Sequence, residues 1–446
     1  MMTATFDVVL KGGMIVNHDG VWSGDIGVSG GRIARLGGIS ASAAGGVFDA
    51  TGLHILPGVI DTQVHFREPG AEHKEDLETG SRAAVMGGVT AVFEMPNTTP
   101  VTTTATALAD KVTRARGRMF CDFAFFVGAT AENVDEIPDL ERLEGSAGIK
   151  VFMGSSTGSL LVESEAALAR VLAKISRRAS FHSEDEARLR ERAGLRVEGD
   201  AASHPVWRDE TAALLATERL LRLARAAGKR VHVLHVSTAE ELPLLAASKD
   251  IASVEVTPHH LTLAAPADYA RLGSRVQMNP PVRDARHRDA LWDAVGQGVI
   301  DILGSDHAPH TLEEKAKPYP ASPSGMPGVQ TLVPVMLDHV NAGRLSIERF
   351  VDLTSHGPAR VFGIARKGRI AVGYDADLTI VDMKAARTIE NEWIESRCGW
   401  TPYDGRAVQG WPAATMVRGH FAMRDGALAP TAHGAPVRFL ESLAGI

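Results

Sequence analysis

Between His54 and Ser305 the chain repeats one pattern eight times: a short apolar run, then a longer segment with helical spacing. The runs are HILPGVIDT, GVTAVFEM, CDFAFFVGA, GIKVFM, ASFHS, RVHVLHV, IASVEVT and VIDILGS. Apolar runs alternating with helices are the rhythm of a parallel sheet. Eight units in succession predict an α/β protein built on a TIM-type (β/α)8 barrel.

The helical segments support that count. After Asp209, ETAALLATERLLRLARAAGK places Leu214, Leu215, Thr217 or Glu218, and Leu221 at spacings of three and four, and Gly228 is suited to a left-handed C-cap. Glu163 to Ile175 reads the same way. Over Glu132 to Leu143, Pro138 predicts a kink or a helix confined to one side.

Outside the barrel pattern the chain changes character. The first 55 residues hold the short β-like runs FDVVL, MIV, GDIGV and RIARLG. Strand-and-turn patterning returns in KGRIAVGYDADLTIVD and AATMVRGHFAMRDG. Neither end alone has the apolar face for a stable core, so both are expected to build one small β domain. The expected division is 1–55 and 365–446 for that domain and 56–364 for the barrel. A length of 446 residues suits such a pair, and 44% hydrophobic with 23% charged residues is globular usage.

A net charge of −7 without long basic runs gives no electrostatic case for nucleic acid. Two cysteines, Cys121 and Cys398, fit a reducing compartment. The opening MMTATFDVVLKGG lacks the pattern of a secretory leader, and no run reaches the roughly 18 to 20 apolar residues of a membrane span. A soluble cytoplasmic protein with no membrane partner is expected.

In a closed barrel, side chains from different strands converge at the carboxyl ends. The polar residues there are Gln63 and His65, Asn97, Lys150, His182, His235 and Asp306. Imidazoles from three strands with a terminal aspartate fit a zinc-like site for one or two divalent ions. Singly, His182 or His235 could be a hydrogen-bonded core histidine, and Asp306 in GSDHAPH could cap the next segment. Lys150 allows two readings: a snorkelling or paired interior cation, or a neutral amine that takes up carbon dioxide as a metal-bridging carbamate. Arg67 has no lone pair to give a metal. Its work is a two-pronged contact to a substrate carboxylate, or a surface salt bridge to Glu68 or Glu72. Asn97 could form a turn with its own backbone or hydrogen-bond a substrate.

The landmarks GVIDTQVHFREPG, EMPNTTP, GIKVFMGSSTG, FHSEDE, HVLHVST, EVTPHHLTL, MNPPVR and GSDHAPHT resemble those of the dihydroorotases, in the cyclic amidohydrolase family that also includes allantoinases and dihydropyrimidinases. The closing KGRIAVGYDADLTIVD is shared widely in the superfamily and marks fold, not substrate. The resemblance implies two divalent ions, normally zinc: His65 and Asp306 on one, His182 and His235 on the other, and carboxylated Lys150 between them. It implies that Arg67, Asn97 and His310 hold a substrate carboxylate and that Asn279 contacts the ring. The implied reaction, in pyrimidine biosynthesis, is reversible hydrolysis of dihydroorotate to N-carbamoyl-L-aspartate, with Asp306 carrying the proton. Arg67 separates this from hydantoin-opening enzymes, whose substrates lack a carboxylate.

Gln63 departs from the pattern, which has histidine there; a glutamine offers zinc a harder, weaker oxygen. Two other readings stand beside the first: an allantoinase or other cyclic ureide hydrolase, and a non-catalytic partner of another pyrimidine-pathway enzyme. The resemblance also implies a homodimer. The segment His310 to Gly328, rich in Pro, Gly and Lys, is expected as an irregular loop closing over the barrel mouth.

Overall fold

The first of the eight apolar runs divides at Gly58 between two sheets. In the computed structural model, which describes residues 5–155 and 160–443, His54–Pro57 pairs within a nine-stranded mixed sheet and Val59–Val64 opens an eight-stranded parallel sheet. Gly58 is fixed there by close approach: a Cβ would lie 2.2 Å from Thr90 Oγ1, and its own N–H donates to Asp377 O at 2.8 Å. That long-range contact sets where the run breaks.

The parallel sheet runs through Val59–Val64, Val89–Glu94, Asp122–Gly128, Ser146–Phe152, Ala179–His182, Val231–Val233, Ala252–Val256 and Ile302–Leu303, in chain order. Each strand overlaps one of the expected runs; Val59–Val64 runs past Thr62 and Ser146–Phe152 starts before Gly148, and the other six lie wholly within theirs. The ring closes between first and last, where Val64 bridges His307 in parallel and His65 N–H donates to His307 O at 2.7 Å. The barrel fold is therefore as the eight runs predict.

Both chain ends build the second sheet. Its seam is the antiparallel pairing of His54–Pro57 with Leu378–Thr388, which sets Ile55 opposite Ile380. Leu10, Ile15, Ile26, Val28, Ile55, Leu378, Ile380 and Met416 form its core.

The helix after Asp209 spans Glu210–Ala227, with the Asp209 side chain accepting from Ala212 N–H and Gly228 ending it at φ 65°. Its buried face differs from the leucine reading. Ala212, Ala213, Ala216, Thr217, Leu220, Leu221 and Ala224 are buried, while Leu215 is 42% exposed. Small side chains let the helix lie close against its neighbours, and that contact outweighs the leucine periodicity. Pro138 leaves only Ile137–Leu140 helical, and the segment before Ile175 forms Glu165–Lys174. Among the described residues no helix is long and apolar enough to cross a membrane.

Candidate metal and substrate site

The candidate side chains Gln63, His65, Asn97, Lys150, His182, His235 and Asp306 lie on or just after barrel strands, as expected. Lys150 lies two residues before the end of its strand, paired with Ser180, and His182 is the last residue of the next. His235 and Asp306 follow the sixth and eighth strands. Arg67 (φ 63°), His235 (φ 37°) and Asp306 (φ 47°) all adopt left-handed backbone, which costs a non-glycine residue on the order of 1–3 kcal/mol and gathers at functional sites. One pocket is lined by Gln63, His65, Arg67, Asn97, Lys150, Phe152, His182, His235, Met278, Asn279 and Asp306, with Ser324 and Gly325 above it. His310 borders it through Arg67.

On one side His182 and His235 face each other, His182 Nδ1 to His235 Nε2, at 3.1 Å. The other nitrogen of His182, Nε2, lies 2.9 Å from the Glu184 carboxylate and must donate to it. Nδ1 of neutral His182 is therefore the acceptor, and His235 Nε2–H donates to it across the gap. Burial opposes ionisation of Glu184, but Arg208 and His182 outweigh it and hold the carboxyl well below the usual range. Arg208, itself buried, is anchored on Ser155 O at 2.6 Å.

On the other side His65 Nδ1 meets Asn97 Oδ1 at 2.8 Å, and His65 Nε2 lies 3.2 Å from Asp306 Oδ1. Gln63 Nε2 donates to the same Oδ1 at 3.0 Å, and Gln63 Oε1 is buried without a partner among the described residues. Burial pushes Asp306 up to about 7 and keeps His65 and His235 well below the ordinary histidine value.

Lys150 stands between the two sides: its charge acts on His65, His182, His235 and Asp306 alike. It is 1% exposed, its Nζ is 4.6 Å from the Phe152 ring centroid, and no carboxylate pairs with it among the described residues. Burial lowers it to about 7. The paired-cation reading thus has no partner to rest on, and a substantial neutral fraction at neutral pH is the form that reacts with carbon dioxide.

These donors fit a divalent cation. The 3.1 Å between the facing nitrogens is close to the edge, roughly 3.3 Å, of a tetrahedron with metal–nitrogen bonds of about 2.0–2.1 Å. Among the described residues no three His, Cys, Asp or Glu groups converge on one point. A carbamate on Lys150 would supply the carboxylate that unmodified side chains do not.

The substrate side is basic. Arg67 is 5% exposed; its Nε donates to Pro309 O at 3.1 Å and its Nη2 lies 3.3 Å from His310 Nε2. The alternative of a salt bridge to Glu68 or Glu72 does not form: Glu68 pairs with Arg118 and Arg114, and Glu72 accepts from Gly70 N–H. Burial lowers Arg67 to about 10 and His310 to about 3. His204 Nε2 lies 2.9 Å from both Asn279 Oδ1 and Met278 O, so the Asn279 oxygen is taken and its NH2 is directed elsewhere.

Five contributors escape the strand-end rule. Glu184 was accessible within FHSEDE, two residues after His182. Arg208 and His204 reach the site only through tertiary contact, and no local pattern marks them. Ser324 and Gly325 come from the expected loop, which is more ordered than its composition suggests. It includes a capped helical turn, Leu312–Lys315, and Trp400 Nε1 ties down His310 O at 2.7 Å. A Cβ on Gly325 would lie 2.4 Å from Ala308 O, so only glycine seats the loop there. The end of GIKVFMGSSTG, from Ser156 to Gly158, lies outside the described residues.

Known proteins resemble this chain over most of its length. The amidohydrolase family pattern matches residues 54–422. A dihydroorotase of Halobacterium salinarum is 40% identical over 401 residues, covering 87% of this chain and 92% of its own. One from Methanosarcina mazei is 36% identical, covering 93% of each. Among solved structures, the L-hydantoinase (dihydropyrimidinase) of Arthrobacter aurescens superposes with a TM-score of 0.92 at 32% identity, over 97% of this chain and 99% of that one.

Proposed function

The chain belongs to the amidohydrolase family, and from that premise we propose that this cyclic amide hydrolase is a dihydroorotase, interconverting dihydroorotate and N-carbamoyl-L-aspartate. The observation that carries the choice is Arg67. A buried guanidinium at the pocket wall, paired with no carboxylate among the described residues, calls for an anionic ligand. Hydantoin and allantoin rings carry no carboxylate for it; dihydroorotate does.

We assign His182, His235, His65 and Asp306, with Lys150 as its carbamate, to hold zinc, one or two ions. Bound there, zinc polarises the ring carbonyl and makes water a nucleophile near neutral pH. Arg67 grips the substrate carboxylate, with Asn97 and His310 beside it, and Asn279 turns its NH2 to the ring. Asp306 moves the proton. Its Oδ1 already faces Gln63 and His65, so Oδ2 takes the proton from the attacking water and returns it to the departing ring nitrogen.

The test is ring opening by protein reconstituted with zinc and bicarbonate, followed by loss of dihydroorotate absorbance, beside allantoin and hydantoin. Dihydroorotate is expected to turn over with the highest kcat/KM. Arg67→Met should raise its KM roughly 10- to 100-fold, the scale of a hydrogen bond to a charged group. Unchanged KM in that variant removes the basis for dihydroorotate. No dihydroorotate turnover by folded, zinc-loaded protein rejects the assignment in favour of another cyclic ureide or a non-catalytic role.

A further inference from the structure

Leu378–Thr388 and Ala407–Val417 pair as antiparallel neighbours in the small sheet, yet the connection between them, 389–406, is far longer than the roughly two to five residues that close a hairpin. The excess reaches across to the barrel mouth. There it meets the stretch from His307 to His310 at both ends.

At one end Ser396 Oγ and Arg397 N–H donate to Glu75, which takes a further hydrogen bond from His307. The direction of that bond is fixed. Gly328 and Val329 N–H both point at His307 Nδ1, so its proton sits on Nε2, 3.3 Å from Glu75 Oε2. At the other end Trp400 Nε1–H donates to His310 O at 2.7 Å, and both residues are 1% exposed. An indole N–H only donates and a carbonyl only accepts, so this bond has a single reading.

Between the two ties lie the groups that aim Arg67. Its Nε donates to Pro309 O at 3.1 Å, and its Nη2 lies 3.3 Å from His310 Nε2. A shift of the 309–310 backbone moves both contacts together. We infer that the 389–406 connection positions the carboxylate-binding side of the pocket, with Trp400 as its positioning residue: through His310 O it fixes Pro309 O and the His310 ring, and so the guanidinium. The small sheet thereby sets how tightly an anionic ring is held. The inference rests on the reading of Arg67 as the carboxylate site and names what keeps it in place. The competing role for Trp400 is core filling, since it belongs to an apolar cluster with Met326, Ile389 and Tyr403.

A double-mutant cycle on the zinc-loaded enzyme separates the two roles. Trp400→Phe keeps an aromatic ring in the cluster and removes the N–H. KM and kcat for dihydroorotate are measured in wild type, Trp400→Phe, Arg67→Met and the double variant, with the zinc content and circular dichroism of each. Trp400→Phe should raise KM about 3- to 10-fold, the scale of one hydrogen bond, with kcat within about twofold and zinc content unchanged. On the Arg67→Met background it should add little, because both changes act on one contact. An unchanged KM in Trp400→Phe, a fall in kcat alone, or full multiplication of the two effects overturns the inference and leaves the dihydroorotase reading standing. No turnover by the wild type, or an unchanged KM in Arg67→Met, ends the carboxylate reading and the inference with it. If Trp400→Phe does not fold, Ser396→Ala takes its place in the cycle: a KM rise that is absent on the Arg67→Met background supports the inference, and an unchanged KM overturns it.

Discussion

Glu184 decides which nitrogen His182 offers. Its carboxylate, 2.9 Å from Nε2, fixes the proton there and turns Nδ1 into the pocket. Glu184→Gln keeps the shape but removes the charge that selects this tautomer and that neutralises buried Arg208. Zinc affinity measured by chelator competition should fall roughly 10- to 100-fold, the usual cost of losing such a support. An unchanged affinity would show that His182 is oriented by packing alone. At this scale the residues readable in advance were those whose place follows from one strand: His65, Lys150, His182, His235 and Asp306 are all terminal polar residues on apolar runs. Arg208 and His204 were not, because their roles depend on where distant segments come to rest against Glu184 and Asn279.

Between elements, the barrel and the small sheet are locked by one buried charge cluster. Lys367 Nζ reaches Asp122 Oδ2 at 2.6 Å and also pairs with Asp377, while Arg418 Nε donates to Asp122 Oδ1 at 2.8 Å. Burial by itself would lower the Lys367 pKa, but Asp122, Asp377 and Asp375 outweigh it and raise it. Burial would likewise raise Asp122, yet Lys367 and Arg418 hold it below its ordinary value. Lys367→Met strands these carboxylates and should cost about 3–5 kcal/mol in denaturant unfolding, as removal of one buried partner does. The raised amine contributes its full stability below its unfolded pKa of about 10.4, and loses it only as pH rises through the higher folded value. The depressed Asp122 contributes fully above about pH 3.9 and loses its share as pH falls through its lower folded value. Burial already raises Asp377 in the same cluster, and without Lys367 both stranded carboxylates take up protons more readily in the folded variant, so the gap should be widest in mild alkali and narrow as pH falls. A gap that does not change with pH would assign the cluster no such role. Sequence alone identified the elements but not their contacts: the Glu210–Ala227 helix has its caps where Asp209 and Gly228 put them, while its buried face follows alanine because a neighbour lies close.

For the whole molecule, the barrel was readable because each βα unit announces itself locally. The small sheet was readable only as a need of both ends for each other, and the break at Gly58 was not, since Thr90 and Asp377 create it. Removing residues 365–446 should leave His54–Pro57 with an open edge and the apolar face of Leu10, Ile15 and Ile26 uncovered. Such a chain is expected in the insoluble fraction, and recovery as a soluble monomer with native zinc content would show that the barrel stands alone. The same seam sets a delay during synthesis. Val59 N–H bonds to Thr379 Oγ1, 320 residues later in the chain. At about 5–20 residues per second the ribosome needs roughly 16–64 s to cover that distance. For that interval the His54–Pro57 edge of each nascent chain lacks its partner strand, the condition under which unpaired edges associate.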